Sequence, residues 1–254
     1  MNINGINNSN ENNNDQLSCK DKVKQMEISL FIRFVILVSV ILFILSFVNI
    51  MNPVILAMAN TPFNTIQHFY FWSIFTSSFI NLSIINFIFG FAAWIPEALK
   101  LERASGTLKF SFLFFIHSIL IQVLFIILAY LIGIVFHSIT ETPSAGIWPL
   151  VIATLNLNCL LNPNEKISLF FIPIPIPAIF IPWILFLFFT LINGFRVFQI
   201  DILAAILYGY VYYLIKDKFD FLNISNEFLN RCENGIFKPL KSLDCNIIKF
   251  NYIT

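Results

Sequence analysis

Apolar residues in this chain run in long, nearly unbroken blocks, not in the period-2 alternation of half-buried strands. Six blocks stand out, at 28–50, 72–95, 108–136, 146–161, 175–194 and 199–215. A helix needs ~20 apolar residues to cross ~30 Å of hydrocarbon, so the pattern predicts an all-α, polytopic bundle of six transmembrane helices. The fourth block is short for a lipid-exposed span and is expected to be enclosed by the others. A proline-spaced run, IPIPIPAIFIP, leads into the fifth. Between the first two blocks lies MNPVILAMANTPFNTIQHFYF, too apolar for a solvated loop and too broken by Pro53 and Pro62 to span. It reads as an interfacial segment lying in the membrane surface.

Polar stretches frame the bundle. Residues 1–26 are Asn-rich and of low complexity; they cannot bury enough apolar surface to offset their ordering entropy, and are expected to be a disordered cytosolic tail. The membrane domain then occupies 27–216, and 217–254 form a second tail whose FDFLNISNEFLNRC stretch has an amphipathic pattern. Positive charge alternates along the chain. Lys20, Lys22 and Lys24 precede the first block, the first loop has no Lys or Arg, and the second carries Lys100, Arg103 and Lys109. The third again has none, and six basic residues follow position 215. Positive residues favour the cytoplasmic side, which places both termini in the cytosol.

Composition supports the same setting: 58% of residues are hydrophobic, 11% are charged and mean hydropathy is +0.81. Soluble domains are about 25% charged, so lipid is the expected partner surface. A net charge of +1 with no basic cluster gives no reason to expect nucleic acid. Cys19, Cys159, Cys232 and Cys245 show no CxxC spacing and no nearby histidine, so neither a metal nor another cofactor is expected. Cys159 lies within the fourth block, where a thiol behaves as a small hydrophobe.

One stretch poses a chemical question. In 142-TPSAGIWPLVIATL-155, Ser144 stands two residues before a glycine at the mouth of an apolar run. Its neighbourhood gains meaning from 71-FWSIFTSSFINLSIINFIFGFAAWIPEALKLERASGTLKF-110, which resembles the second span of the rhomboid superfamily. Thr76, Ser77, Phe79, Glu102 and Gly106 take the places of that family's recurring residues. Ala205 and Gly209 in 205-AILYG-209 form a small-xxx-small pair of the kind that lets the sixth helix pack on the fourth. Active rhomboids carry a nucleophilic serine in G-x-S-G at the start of the fourth span, a general-base histidine in the sixth, and oxyanion-holding residues in the second. Matching Gly146 to the first glycine puts Trp148 at the nucleophile, and the sixth span has Ile202 where the base would stand. Gly90 falls at the oxyanion asparagine, while Asn81 and Asn86 fall where histidines are usual. The resemblance therefore implies a pseudoprotease, close to derlins and to rhomboid-like proteins with a ubiquitin-associated domain.

Expectations for individual residues follow. Ser144 is read as a helix N-cap, Asp201 as a partner of Arg196, and Asn81 and Asn86 as facing neighbouring helices. His117 is read as an interhelical hydrogen-bond donor in the third span. With Trp148, Ala205 and Gly209, these amides and His117 are the candidate client-cleft or packing residues. The implied work is binding of transmembrane segments or partner membrane proteins in endoplasmic-reticulum quality control or trafficking. The tail after 216 is too short for a ubiquitin-binding domain beside its own amphipathic stretch, so no ubiquitin link is expected. Two alternatives stay open. One is an intramembrane protease using Ser144 and Asp201, although a carboxylate with a reference pKa of about 3.9 is a weak base for a hydroxyl. The other is a small-solute transporter or channel built around His117.

Overall fold

A single glycine joins the two longest helices. The computed structural model describes residues 30–48, 50–169, 172–192 and 199–215. Within them, α1 spans Leu30–Ser46, followed by three short helices α2 (Asn52–Met58), α3 (Pro62–Gln67) and α4 (Ser73–Thr76). The long helices α5 (Ile84–Ser105) and α6 (Thr107–Gly133) meet at Gly106. Its φ of 82° lies in the left-handed region that favours glycine, and its N–H caps α5 on the Glu102 carbonyl at 2.8 Å. Then come α7 (Trp148–Leu161), a hairpin of β1 (Lys166–Leu169) and β2 (Ile172–Pro177), α8 (Ile181–Ile192) and α9 (Ile200–Ile215).

The architecture is mostly helical, and two details correct the sequence reading. The second helix begins at Ile84, not at 72. Residues 73–83 are rich in Ser and Thr, and side-chain and backbone groups there fasten the stretch to other parts of the chain, so that only short helical turns form before Ile84. Thr76 donates to the Met58 carbonyl at 2.7 Å, and the Ser77 carbonyl accepts from Gly146 N–H at 2.8 Å. The helix instead extends through Pro96 to Ser105, taking in what the pattern assigned to a charged loop. The second correction is the hairpin. The alternating prolines of IPIPIP prevent the helix from starting at 175 and hold an extended strand, paired antiparallel with register Lys166↔Pro177 and Ile167↔Ile176. A two-stranded ribbon leaves room for proline, which cannot donate to a ladder.

Ile84–Arg103 and Thr107–Gly133 are long and apolar enough, by length and composition, to cross a membrane. Phe31–Ser46, Trp148–Leu161, Ala178–Ile192 and Ile200–Ile215 are shorter apolar helices. With 14 residues, α7 extends only about 21 Å. It is the most enclosed element, packing against α5, α6, α8 and especially α9. Leu150, Val151, Ile152 and Ala153 of α7 join Ile202, Ala205 and Ile206 of α9 in the main core. Prolines 53 and 62 each stand in the first turn of a short helix, where the missing N–H has no intrahelical partner to lose. These helices fold the first loop over the mouth of the bundle. The expected tails at 1–26 and 217–254, along with Arg196, Cys19, Cys232 and Cys245, lie outside the described residues.

Candidate functional site: a sealed polar relay and a tryptophan between helices

Ser144 does not cap a helix. The chain from Thr142 to Gly146 runs extended across the first loop, and Ser144 exchanges backbone hydrogen bonds with Asn60 at 2.8 and 3.0 Å. Helix α7 starts four residues later, after Ile147, with no side-chain cap. The backbone bridge draws the Ser144 side chain inward, where its solvent exposure is 0%. There the hydroxyl oxygen accepts from Gln122 Nε2 at 3.2 Å, and the hydroxyl lies within hydrogen-bonding reach of the Asp201 carboxylate.

These contacts belong to a longer relay. Thr65 donates to Asn60 Oδ1 at 2.8 Å, and Asn60 Nδ2 donates to Gln122 Oε1 at 2.7 Å. Ser73 then donates to Thr65 at 3.0 Å, since the Thr65 proton is already committed to Asn60. Every donor points the same way, from the first loop through α6 to the start of α9. The relay ends on Asp201, whose Oδ1 also accepts the Ile202 N–H at 2.9 Å in the first turn of α9. A carboxylate at a helix N-terminus, facing only donors along the relay, is an electrostatically sensible terminus. Asp201 thus meets Ser144 here; the Arg196 side of the expected ion pair lies outside the described residues.

Trp148, where a nucleophile would stand, opens α7 and touches two other helices. Its Nε1 donates to the Asn86 carbonyl of α5 at 3.2 Å, and its ring meets Phe189 of α8 edge-on at 4.8 Å. Gly90 makes this approach feasible. A Cβ placed there would sit 3.1 Å from Ile147 and 3.3 Å from the Trp148 Nε1. Ile202 is buried in the main core, as is Ala205. Neither expected amide lies against a neighbouring helix from within a span. Asn86 is exposed and engages Trp148 through its backbone. Asn81 precedes α5, is 2% exposed, and has no hydrogen-bond partner at either side-chain atom. Its Oδ1 lies 3.0 Å from where a Cβ on Gly146 would be, at a φ of 99° that suits glycine.

Further along α9, the His117 Nδ1 hydrogen-bonds the Tyr208 hydroxyl, and its ring meets Tyr212 edge-on at 5.2 Å. Asn156 is a residue the sequence reading passed over. Its Nδ2 donates to the Ile206 carbonyl of α9 at 2.7 Å, directly against Gly209. The signal was present: an amide inside the apolar run ATLNLNCL must find a partner when water is excluded. Asn60 and Thr65 were missed because the first loop was read as lying on the surface, whereas their side chains are buried, and Ser73 because it was taken as part of the second span, whose helix begins only at Ile84.

Residues 33–216 match a domain family described as eukaryotic integral membrane protein (DUF1751). The chain belongs to this family. A search of curated proteins gives no match. The family is one of integral membrane proteins, and in a bilayer an unpaired polar group has no water to turn to. In that setting the relay and the Asn156 contact satisfy polar groups that would otherwise oppose the packing of these helices.

Proposed function

We propose that this family member is a non-proteolytic rhomboid-like protein that binds transmembrane segments of other membrane proteins, in endoplasmic-reticulum quality control or trafficking. The single observation carrying this reading is the state of Ser144. It is fully enclosed and engaged by Gln122 and Asp201, so no scissile carbonyl has access to its hydroxyl. Rhomboid-like proteins carry this family's domain, which agrees with the reading. The six apolar helices would each cross the bilayer with both termini cytosolic, the short ones thinning it locally.

Binding would occur beside Trp148, where α5 and α8 are bridged by one indole ring. Asn86, the exposed residue whose carbonyl holds that ring, offers the amide. A client helix bearing a polar residue costs less to hold against an amide than against lipid tails, by about 0.6–2 kcal/mol for one interhelical hydrogen bond. A photoreactive residue replacing the exposed Ile85, beside Asn86, tests this in nanodiscs containing a defined 20-residue leucine helix. A central asparagine in that peptide is expected to raise crosslinking several-fold over its all-leucine twin. Equal yields for the two peptides would sink the client reading.

The Ser144–Asp201 contact specifically favours one rival, an unorthodox intramembrane serine protease. A fluorophosphonate probe separates the two. The folded chain in detergent is expected to show no Ser144 adduct, and a probe adduct that disappears in Ser144→Ala would establish the rival.

A further inference from the structure

A cavity of about 500 Å³ opens beside the first loop, and neither Trp148 nor Asp201 is among the described residues that line it. Phe63, Tyr70, Asn64, Thr61 and Glu141 are among the residues that line it, with Pro53 and Leu56 completing an apolar side. Glu141 is the only formally charged residue in 51–71 and 137–145 together, and it stands on the wall of this cavity. No salt bridge engages it among the described residues. The walls also show where backbone strain has been tolerated. Phe69 has a φ of 58°, an unusual conformation for a bulky residue. The reversal there closes a tight turn, with Phe71 N–H on the Phe69 carbonyl at 2.8 Å. It turns Tyr70 back toward the chain, where it stacks on Trp72 at 4.8 Å, and Trp72 is fixed by its Nε1 on the Ala57 carbonyl at 3.1 Å. Phe63 and Tyr70 therefore share the lining of the cavity with one negative charge.

The same loop exposes Ile50 at 82%, Phe69 at 67% and Val54 at 54%. In an integral membrane protein such a greasy, proline-broken loop settles at the interface, at the level of lipid headgroups. The cavity then opens among headgroups. Among the described residues no Lys or Arg lines it, so an isolated phosphate finds no counter-charge there. Aromatic rings and a carboxylate attract any ammonium, but the apolar side formed by Pro53 and Leu56 suits the methyl groups of a quaternary one better than the strongly hydrated N–H groups of a primary one. We propose that this cavity is a site for a quaternary ammonium group, the choline headgroup of a membrane lipid, held by Phe63, Tyr70 and Glu141. The inference does not depend on client binding or on the fate of Ser144.

The test uses the full chain, delipidated in detergent and examined by native mass spectrometry with dioleoyl phosphatidylcholine, phosphatidylethanolamine or phosphatidylglycerol. One tightly retained phosphatidylcholine is expected, bound about tenfold more tightly than either other lipid, in line with a desolvated cation–aromatic contact. Glu141→Gln and Tyr70→Leu should each erase most of that preference, while Glu97→Gln, on the Lys100 ion pair of α5, should preserve it. Because Glu141 is exposed, its neutral variant is expected to fold normally, and the thermal midpoint without lipid checks this. Displacement by soluble glycerophosphocholine at matching concentration would support the ammonium site and assign it to a free solute instead of a lipid. Equal retention of all three lipids, or an undiminished preference in folded Glu141→Gln, would overturn the assignment.

Discussion

Gly209→Val should prevent α7 and α9 from closing, and Gly209→Ala should weaken the seam measurably. A Cβ at position 209 would meet Asn156 Nδ2 at 2.5 Å and its Cβ and Cγ at 3.1 Å. The amide end could rotate away, but the Asn156 Cβ is fixed to the α7 backbone and cannot. Rotation would also break the 2.7 Å bond to the Ile206 carbonyl, exposing two polar groups to an apolar surrounding. Three magnitudes decide the sign. Alanine gains about 1 kcal/mol of helix propensity over glycine. Overpacking costs about 1–3 kcal/mol. Losing an interhelical hydrogen bond costs about 0.6–2 kcal/mol. The net for Gly209→Ala is a loss of about 1–4 kcal/mol from those terms, and valine, with a branched Cβ, falls well beyond it. Cys159 supplies the readout, since its thiol is buried on α7 and reacts with a maleimide dye only as the bundle melts. In a background with serine at 19, 232 and 245, the alanine variant should melt several degrees lower. Adding Asn156→Ala should return part of the loss, because the obstructing side chain and its bond go together. A Gly209→Ala protein as stable as its parent would show that the two helices do not meet as described.

Much of this seam was legible in the sequence, and the reason is physical. A small residue inside an apolar run at helical spacing has few uses in lipid other than close approach, so Ala205 and Gly209 announced a packing face. The partner was harder to read. Asn156 could have faced any of several helices, because helical periodicity fades when a helix is apolar all round. The ends of elements were less legible still. Residues 72–83 are apolar enough to continue a span, and only the distant acceptors at Met58 and the Gly146 donor show why they do not. Likewise, IPIPIP has the hydropathy of a membrane helix but the backbone restriction of an extended strand, and the restriction prevailed. Ser144 illustrates the limit most plainly. Its type and its place before an apolar run read as a cap, with a nucleophile the lesser alternative, and what it does depends on Asn60, Gln122 and Asp201, which lie 84, 22 and 57 positions away in sequence.

Gln122→Leu is expected to release the first loop from the bundle. The substitution is nearly volume-conserving, so its effect is carried by polar groups, not by a cavity. Gln122 is the centre of the relay. It accepts from Asn60 and donates to Ser144, and no water reaches either contact because all three residues are buried. With leucine there, Asn60 Nδ2 keeps no acceptor, and a buried unsatisfied donor costs about 1–3 kcal/mol. Ser144 loses a donor but keeps Asp201, so the damage falls mostly on the loop side. Limited proteolysis should therefore cut within 51–71 several-fold faster than in the parent, while cleavage elsewhere is unchanged. The double variant Asn60→Leu/Gln122→Leu separates this account from simple disruption of α6. Removing both partners leaves no orphaned donor between them, and apolar groups of matching shape can be nearly neutral where a single replacement is not. Thr65 would then turn its hydroxyl to the Thr61 carbonyl, already 3.0 Å away, and stay satisfied. Protection restored in the double variant would show that hydrogen-bond completeness holds the loop down. If the double variant were cut as fast as the single, or faster, the relay would not be what fastens the loop, and the sealing of Ser144 would need another cause.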